Sequence, residues 1–232
     1  MTTLNLLCAG AAQGLVTALQ DRFTAETGAT LQGRFGAVGA MKEALLAGEP
    51  CDVMIVTGAM VDALCADGRL RADSRASLGR VLTGVAVRAG TPLPDVSTPE
   101  ALKATLLAAD SVYFPDAVRA TAGIHFAKVM AQLGILATME PRFRTYPAGA
   151  IAMRELAASG SANAIGCTQI TEINYTPGVQ LVGALPPAFE LATVYTAAVG
   201  TRAAEAALAA RFIALISGAD STALRRDGGF VV

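Results

Sequence analysis

The sequence is poor in the residues that most often bind metals. It has a single histidine, His125, no tryptophan, and four cysteines. The cysteines have neither the spacing of a zinc site nor the density of a disulfide scaffold, so we predict unpaired, buried thiols. One histidine also excludes a site built from two. The glycine-containing segments of the chain also lack the lysine of a P-loop, so no nucleotide site is expected. We therefore expect no metal, nucleotide or other cofactor.

Charge and uninterrupted apolar runs are scarce too. Only 16% of the residues are charged, the net charge is −1, and the basic residues are scattered, so no nucleic-acid partner is expected. Mean hydropathy is +0.48, yet prolines and glycines interrupt the charge-free run 173–189, so we expect no membrane span. The first residues show no basic region or cleavage site of a signal peptide. A cytoplasmic location is expected, or a periplasmic one if a leader was removed.

Apolar residues make up 53% of the chain and fall into short alternating segments. Strand-like segments at 4–9, 30–35 and 52–56 alternate with segments whose apolar positions are spaced three and four apart, which indicates parallel strands joined by helices. A second such set begins near residue 82. We therefore predict an α/β fold of two lobes, each a mainly parallel sheet flanked by helices and joined by two crossing strands. The predicted bounds are residues 1–80 plus 200–232 for one lobe and 81–199 for the other, with crossing strands near 81–88 and 191–199.

Loops of small residues follow several predicted strands. In open α/β sheets, ligands bind beyond the carboxyl ends of the strands, where helix N-termini offer free N–H groups to anions. Tight strand-to-helix turns would explain the small residues equally well. The candidate ligand-binding residues in these loops are Ala11, Ala12, Ala37, Val38, Thr57, Thr121, Ala122 and Gly149.

A few polar side chains lie near the same predicted strand ends. Arg119 is either a bidentate clamp for a carboxylate or a solvated loop residue. Thr121 either binds the ligand or caps a helix, and Gln169 either binds the ligand or starts a helix. His125 and Asp116 are the candidate catalytic proton carriers; the alternatives are a structural histidine and a turn aspartate.

Four segments, at residues 26–28, 35–40, 48–53 and 228–230, resemble the molybdate-binding-protein family of substrate-binding proteins. The resemblance implies a type II periplasmic-binding-protein fold that closes about a hinge over a ligand between its lobes. The family's oxyanion ligands include two hydroxyl groups, which fall at Ala11 and Val38, and a tyrosine, which falls near Gln169. Without those hydroxyls a tetrahedral oxyanion loses donors, so the sequence favours an organic carboxylate.

Further segments, at residues 72–75, 84–92, 94–102 and 106–109, resemble a subgroup that includes bacterial aconitate isomerases. The leading interpretation is a protein that binds a small organic anion. The resemblance implies a first alternative, a cofactor-free isomerase of an unsaturated polycarboxylate. A second alternative is a molybdate or tungstate carrier, whose partner would be an ABC transporter if the protein is exported.

Overall fold

The computed structural model describes residues 2–232, in which ten strands alternate with ten α-helices. The strands are β1 (Thr3–Ala9), β2 (Thr30–Gly36), β3 (Val53–Thr57), β4 (Ala76–Arg88), β5 (Ser111–Pro115), β6 (Phe143–Tyr146), β7 (Ala164–Gln169), β8 (Val179–Ala184), β9 (Ala192–Val199) and β10 (Phe230–Val231). The helices are α1 (Gly10–Thr27), α2 (Val38–Leu46), α3 (Gly58–Ala66), α4 (Pro99–Ala108), α5 (Thr121–Gln132), α6 (Leu136–Met139), α7 (Gly149–Ala158), α8 (Ile170–Asn174), α9 (Ala206–Ser217) and α10 (Thr222–Gly228).

The chain divides into two compact units. The first comprises the chain up to Val81 together with Thr193–Val232, and the second is Leu82–Ala192. The chain passes between them within β4 and again at the start of β9, whereas the sequence pattern predicts crossing strands near 81–88 and 191–199 and assigns the whole of the second one to the second lobe. The difference arises because β9 pairs along its length with β3 and so belongs to the first unit.

The first unit is built on the parallel strands β2, β1 and β3, with β9 antiparallel to β3. Helices α1 and α9 pack through the rings of Phe23 and Phe212, whose centroids are 5.1 Å apart. Because β1, β2 and β3 are parallel, α1, α2 and α3 all begin at the same edge of the sheet. At the opposite edge of this sheet, the buried Asp52 carboxylate accepts hydrogen bonds from the backbone N–H groups of Asn5 and Ala204, each at 2.8 Å.

The second unit has the parallel strands β5, β6 and β7, with β4 antiparallel to β7 and β8 antiparallel to β4. Successive residues of its strands point to opposite faces. On one face Cys167 packs in the core that contains Phe126 of α5. On the other face Ala86 packs in the core that contains Met153 of α7. Helices α5, α7 and α8 follow the parallel strands β5, β6 and β7, so they begin at one edge of this sheet. Helix α5 packs on one face, and α7 and α8 pack on the other.

Candidate functional site

Two helices that follow parallel strands of the first unit, α1 and α2, begin without any side-chain cap. The N-cap residues are Ala9 for α1 and Ala37 for α2, and neither offers a hydrogen-bonding side chain. The predicted residues Ala11, Ala12 and Val38 are buried in the first turns of these helices. First-turn N–H groups have no carbonyl partner within their own helix. These residues can therefore contribute backbone donors and no side-chain donors.

Thr57, also predicted to bind ligand, caps α3. Its hydroxyl oxygen accepts a hydrogen bond from the Met60 N–H at 3.3 Å. The hydroxyl proton remains available for donation to a second group. Thr57 therefore both orders the helix start and retains one donor.

In the second unit, the loop before α5 is ordered by Asp116. One carboxylate oxygen of Asp116 accepts hydrogen bonds from the N–H groups of Val118, at 2.7 Å, and Arg119, at 3.0 Å. This is a turn role for Asp116, and it leaves the Arg119 side chain exposed on the loop. The N-cap of α5 is Ala120, and the helix has no side-chain cap, so Thr121 does not cap it.

Gly123 lets the start of α5 approach the end of β5 closely. A Cβ atom at this position would lie 2.2 Å from the carbonyl oxygen of Pro115 and 2.4 Å from that of Asp116. Only glycine fits such a contact. The sequence interpretation named its neighbour, the buried Ala122, and missed Gly123; the glycine among small residues was the available signal.

His125 lies one turn into α5 and is tied to the segment before β9. Its Nε2 atom lies 2.7 Å from the carbonyl oxygen of Phe189. A carbonyl only accepts, so Nε2 carries the proton and donates it. In this conformation the contact anchors a helix to a loop, and only Nδ1 remains for other chemistry.

Gly149 packs against a carboxylate of the protein itself, that of Glu172 on α8. The Ala150 N–H at the start of α7 donates to Oε1 of Glu172 at 3.3 Å, and the Thr168 hydroxyl donates to Oε2. A Cβ at Gly149 would lie 2.1 Å from Oε2. Burial raises the pKa of Glu172, and the hydrogen bonds from Thr168 and Ala150 oppose that shift. The carboxyl group of Glu172 therefore occupies the N-terminus of α7.

Sequence reasoning missed Glu172. The only signal was an acidic residue between two isoleucines, Ile170 and Ile173.

Gln169 ends β7 and precedes α8. Its side chain is 2% exposed, and neither its amide nitrogen nor its amide oxygen has a hydrogen-bond partner among the described residues. Cys167 and Ile165, two and four residues earlier respectively, face the core that includes α5. Strand alternation places the Gln169 side chain on that same face.

Two further properties concern the described chain alone. Within residues 2–232, no cluster of three or more His, Cys, Asp or Glu side chains has the arrangement of a metal site. No single helix in the same range is long and apolar enough to cross a membrane.

A discontinuous and a continuous α/β unit, each with helices that begin at the carboxyl edges of parallel strands, are the architecture of the periplasmic-binding-protein class. The chain is similar to the periplasmic molybdate-binding protein of Azotobacter vinelandii, with a TM-score of 0.78, 19% identity and 99% of each chain covered. It is also similar to the sulfate-binding protein SubI of Mycobacterium tuberculosis, with a TM-score of 0.75, 17% identity, and 99% of this chain and 86% of that one covered. These likenesses confirm the predicted type II fold.

The chain belongs to the bacterial extracellular solute-binding proteins, because the sequence model of that family matches residues 4–231. A Pseudomonas protein named aconitate isomerase is 27% identical over 235 residues, covering 99% of this chain and 87% of that protein. The resemblances to the molybdate-binding family and to the aconitate isomerase subgroup are thereby confirmed.

Proposed function

We propose that the protein binds a small organic anion, a carboxylate, at the start of α5 in the second unit. The observation that carries the proposal is the buried amide of Gln169, which has no partner among the described residues and lies on the sheet face that packs against α5. Buried polar groups are normally hydrogen-bonded, so an orphaned amide beside a helix start indicates a place for a ligand group.

The start of α5 suits an anion for electrostatic reasons. A helix N-terminus carries a partial positive charge, and its first N–H groups lack partners within the helix. Arg119 adds a full positive charge on the adjoining loop, next to Thr121. The names of the two similar structures, for molybdate and for sulfate, support an anionic ligand.

The side chains favour a carboxylate over a tetrahedral oxyanion. Ala11 and Val38 carry no hydroxyl that could donate a hydrogen bond to such an oxyanion. In the second unit, a planar guanidinium at Arg119 matches the two oxygens of a carboxylate. The name of the Pseudomonas relative, aconitate isomerase, supports a carboxylate ligand as well.

A cofactor-free isomerase is the second candidate. It is favoured by that relative, whose similarity spans 99% of this chain. The two proton carriers named from the sequence already have structural partners: Phe189 for His125 and two backbone amides for Asp116. A proton shift would require one of them to exchange that partner for the substrate.

A thermal-shift panel tests the binding proposal and separates it from a molybdate or tungstate carrier. Citrate, malate, succinate and trans-aconitate are compared with molybdate, tungstate and sulfate at constant ionic strength. A ligand at about a hundredfold excess over Kd adds about 2.7 kcal/mol to the free energy of unfolding. We expect stabilisation by carboxylates and little by molybdate. The reverse order would contradict the proposal and support the carrier.

A further inference from the structure

Thr83 and Gln169 form a cross-strand pair of orphaned polar side chains. Thr83 on β4 lies directly opposite Gln169 on β7. The backbone N–H and carbonyl of Thr83 bond instead to Leu191 and Leu185, so the pair belongs to the non-hydrogen-bonded class, in which side chains approach most closely. Thr83 is 1% exposed, and its hydroxyl, like the Gln169 amide, has no partner among the described residues.

The chemistry of this pair differs from that of a pure anion site. The Gln169 amide presents two donors and one acceptor, and the Thr83 hydroxyl presents both functions. An ionised carboxylate or sulfate oxygen can only accept, so it cannot itself satisfy the Gln169 carbonyl oxygen. A ligand hydroxyl both donates and accepts, and it can therefore satisfy the amide oxygen and a donor of the pair together.

We propose that Thr83 and Gln169 form a subsite for a hydroxyl group, which makes the ligand a hydroxycarboxylate. The subsite lies on the sheet face that packs against α5. A ligand whose carboxylate binds at the start of that helix would therefore direct its hydroxyl group toward Thr83 and Gln169. This inference rests on the proposed function, because it assumes that the ligand's carboxylate binds at α5.

Two matched ligand pairs test the inference by calorimetry. Malate differs from succinate, and citrate from tricarballylate, by one hydroxyl at the same number of carboxylates. We expect the hydroxylated member of at least one pair to bind about tenfold more tightly or better, since a site that hydrogen-bonds a hydroxyl discriminates against the analogue without it. Equal binding within both pairs would overturn the inference and leave the proposed function intact. Failure of every carboxylate to bind would overturn the proposed function itself.

Variants of Thr83 and Gln169 test whether these two side chains cause the preference for the hydroxylated ligand. Thr83→Val and Gln169→Leu keep the shape of each site and remove its hydrogen-bonding groups. Each should reduce the preference for the hydroxylated ligand to near unity, while Thr105→Val, which removes a hydroxyl bonded to the Asp95 carbonyl on the surface, should preserve it. Preference retained in both pair variants would overturn the inference.

The melting temperature without ligand provides an independent readout. Removing orphaned polar atoms should leave it unchanged or raise it. A clear decrease in both pair variants would show that the two side chains are satisfied inside the folded protein, for instance by an ordered water, and would contradict a ligand subsite.

Discussion

In the loop before α5, two charged residues have separate roles. The Asp116 carboxylate accepts hydrogen bonds from the backbone N–H groups of the turn, while the side chain of Arg119 is exposed. A ligand carboxylate at the helix start would cover this guanidinium and remove it from water. Charge-assisted hydrogen bonds gain strength when they are desolvated.

Replacing Arg119 with alanine should therefore weaken carboxylate binding by about 2–5 kcal/mol and leave folding stability nearly unchanged. Isothermal calorimetry with the tightest carboxylate of the panel measures the effect. Arg154→Ala, which removes an exposed arginine from the middle of α7, is the matched control and should bind normally. Equal affinities in the two variants would remove Arg119 from the site.

Glu172 makes stability depend on pH with an unusual sign for an acid. Burial raises its pKa above the ordinary value of 4.5, so the folded state holds a proton that the unfolded state has released. The folded protein therefore loses stability as the pH rises from about 4.5 through the raised pKa.

Glu172→Gln removes this titration. Urea denaturation between pH 4 and pH 8 should show the variant gaining stability relative to the parent as the pH increases. A stability difference that is constant with pH would mean that Glu172 does not titrate in this range.

At the level of secondary structure, the start of α5 depends on a glycine. Gly123→Ala would place a methyl group against the carbonyls of Pro115 and Asp116 and push the helix away from β5. Overpacking of this kind costs about 1–3 kcal/mol, and the displaced N–H groups should also bind carboxylate more weakly. Gly160→Ala serves as the control, because a Cβ there meets nothing within 4 Å. Denaturation and calorimetry measure the two effects, and equal behaviour of the two variants would contradict this role.

Elements were predictable from the sequence where the apolar pattern is local. The prediction at residues 4–9 corresponds to β1, because a largely buried strand has a largely apolar sequence. The prediction at residues 30–35 corresponds to β2, a strand whose middle residues are exposed. The prediction of residues 81–88 captured only part of β4, which begins at Ala76. Gly79, with a φ of 123°, interrupts the strand pattern there. The two-residue strand β10 carries no periodic signal of its own.

The site was predictable only in part, because its contacts join distant segments. The loops were identifiable, since each follows a strand. Two contacts depend on the strand order β4–β7–β5. One is the contact of Glu172 with the start of α7, and the other is the pairing of Thr83 with Gln169. No local pattern encodes that order.

For the whole molecule, the open question is whether binding is accompanied by chemistry. A 1,3-proton shift needs a group that removes a proton and a group that returns one, and His125 and Asp116 already serve structural partners. We therefore expect binding of trans-aconitate without exchange in D₂O. Proton NMR checks this: deuterium incorporation, or appearance of the cis isomer, would establish an isomerase. Loss of that signal in His125→Ala or Asp116→Asn would identify the proton carrier.

Asp52 affects the order in which the two units can complete their folding during translation. Its carboxylate needs the amides of Ala204 and Glu205, and β3 lacks its neighbour β9 until the chain has been made beyond Val199. The unit Leu82–Ala192 is continuous and can fold as soon as it emerges. The segment synthesised first is therefore among the last to finish folding, and β3 lacks its second partner strand while most of the chain is translated.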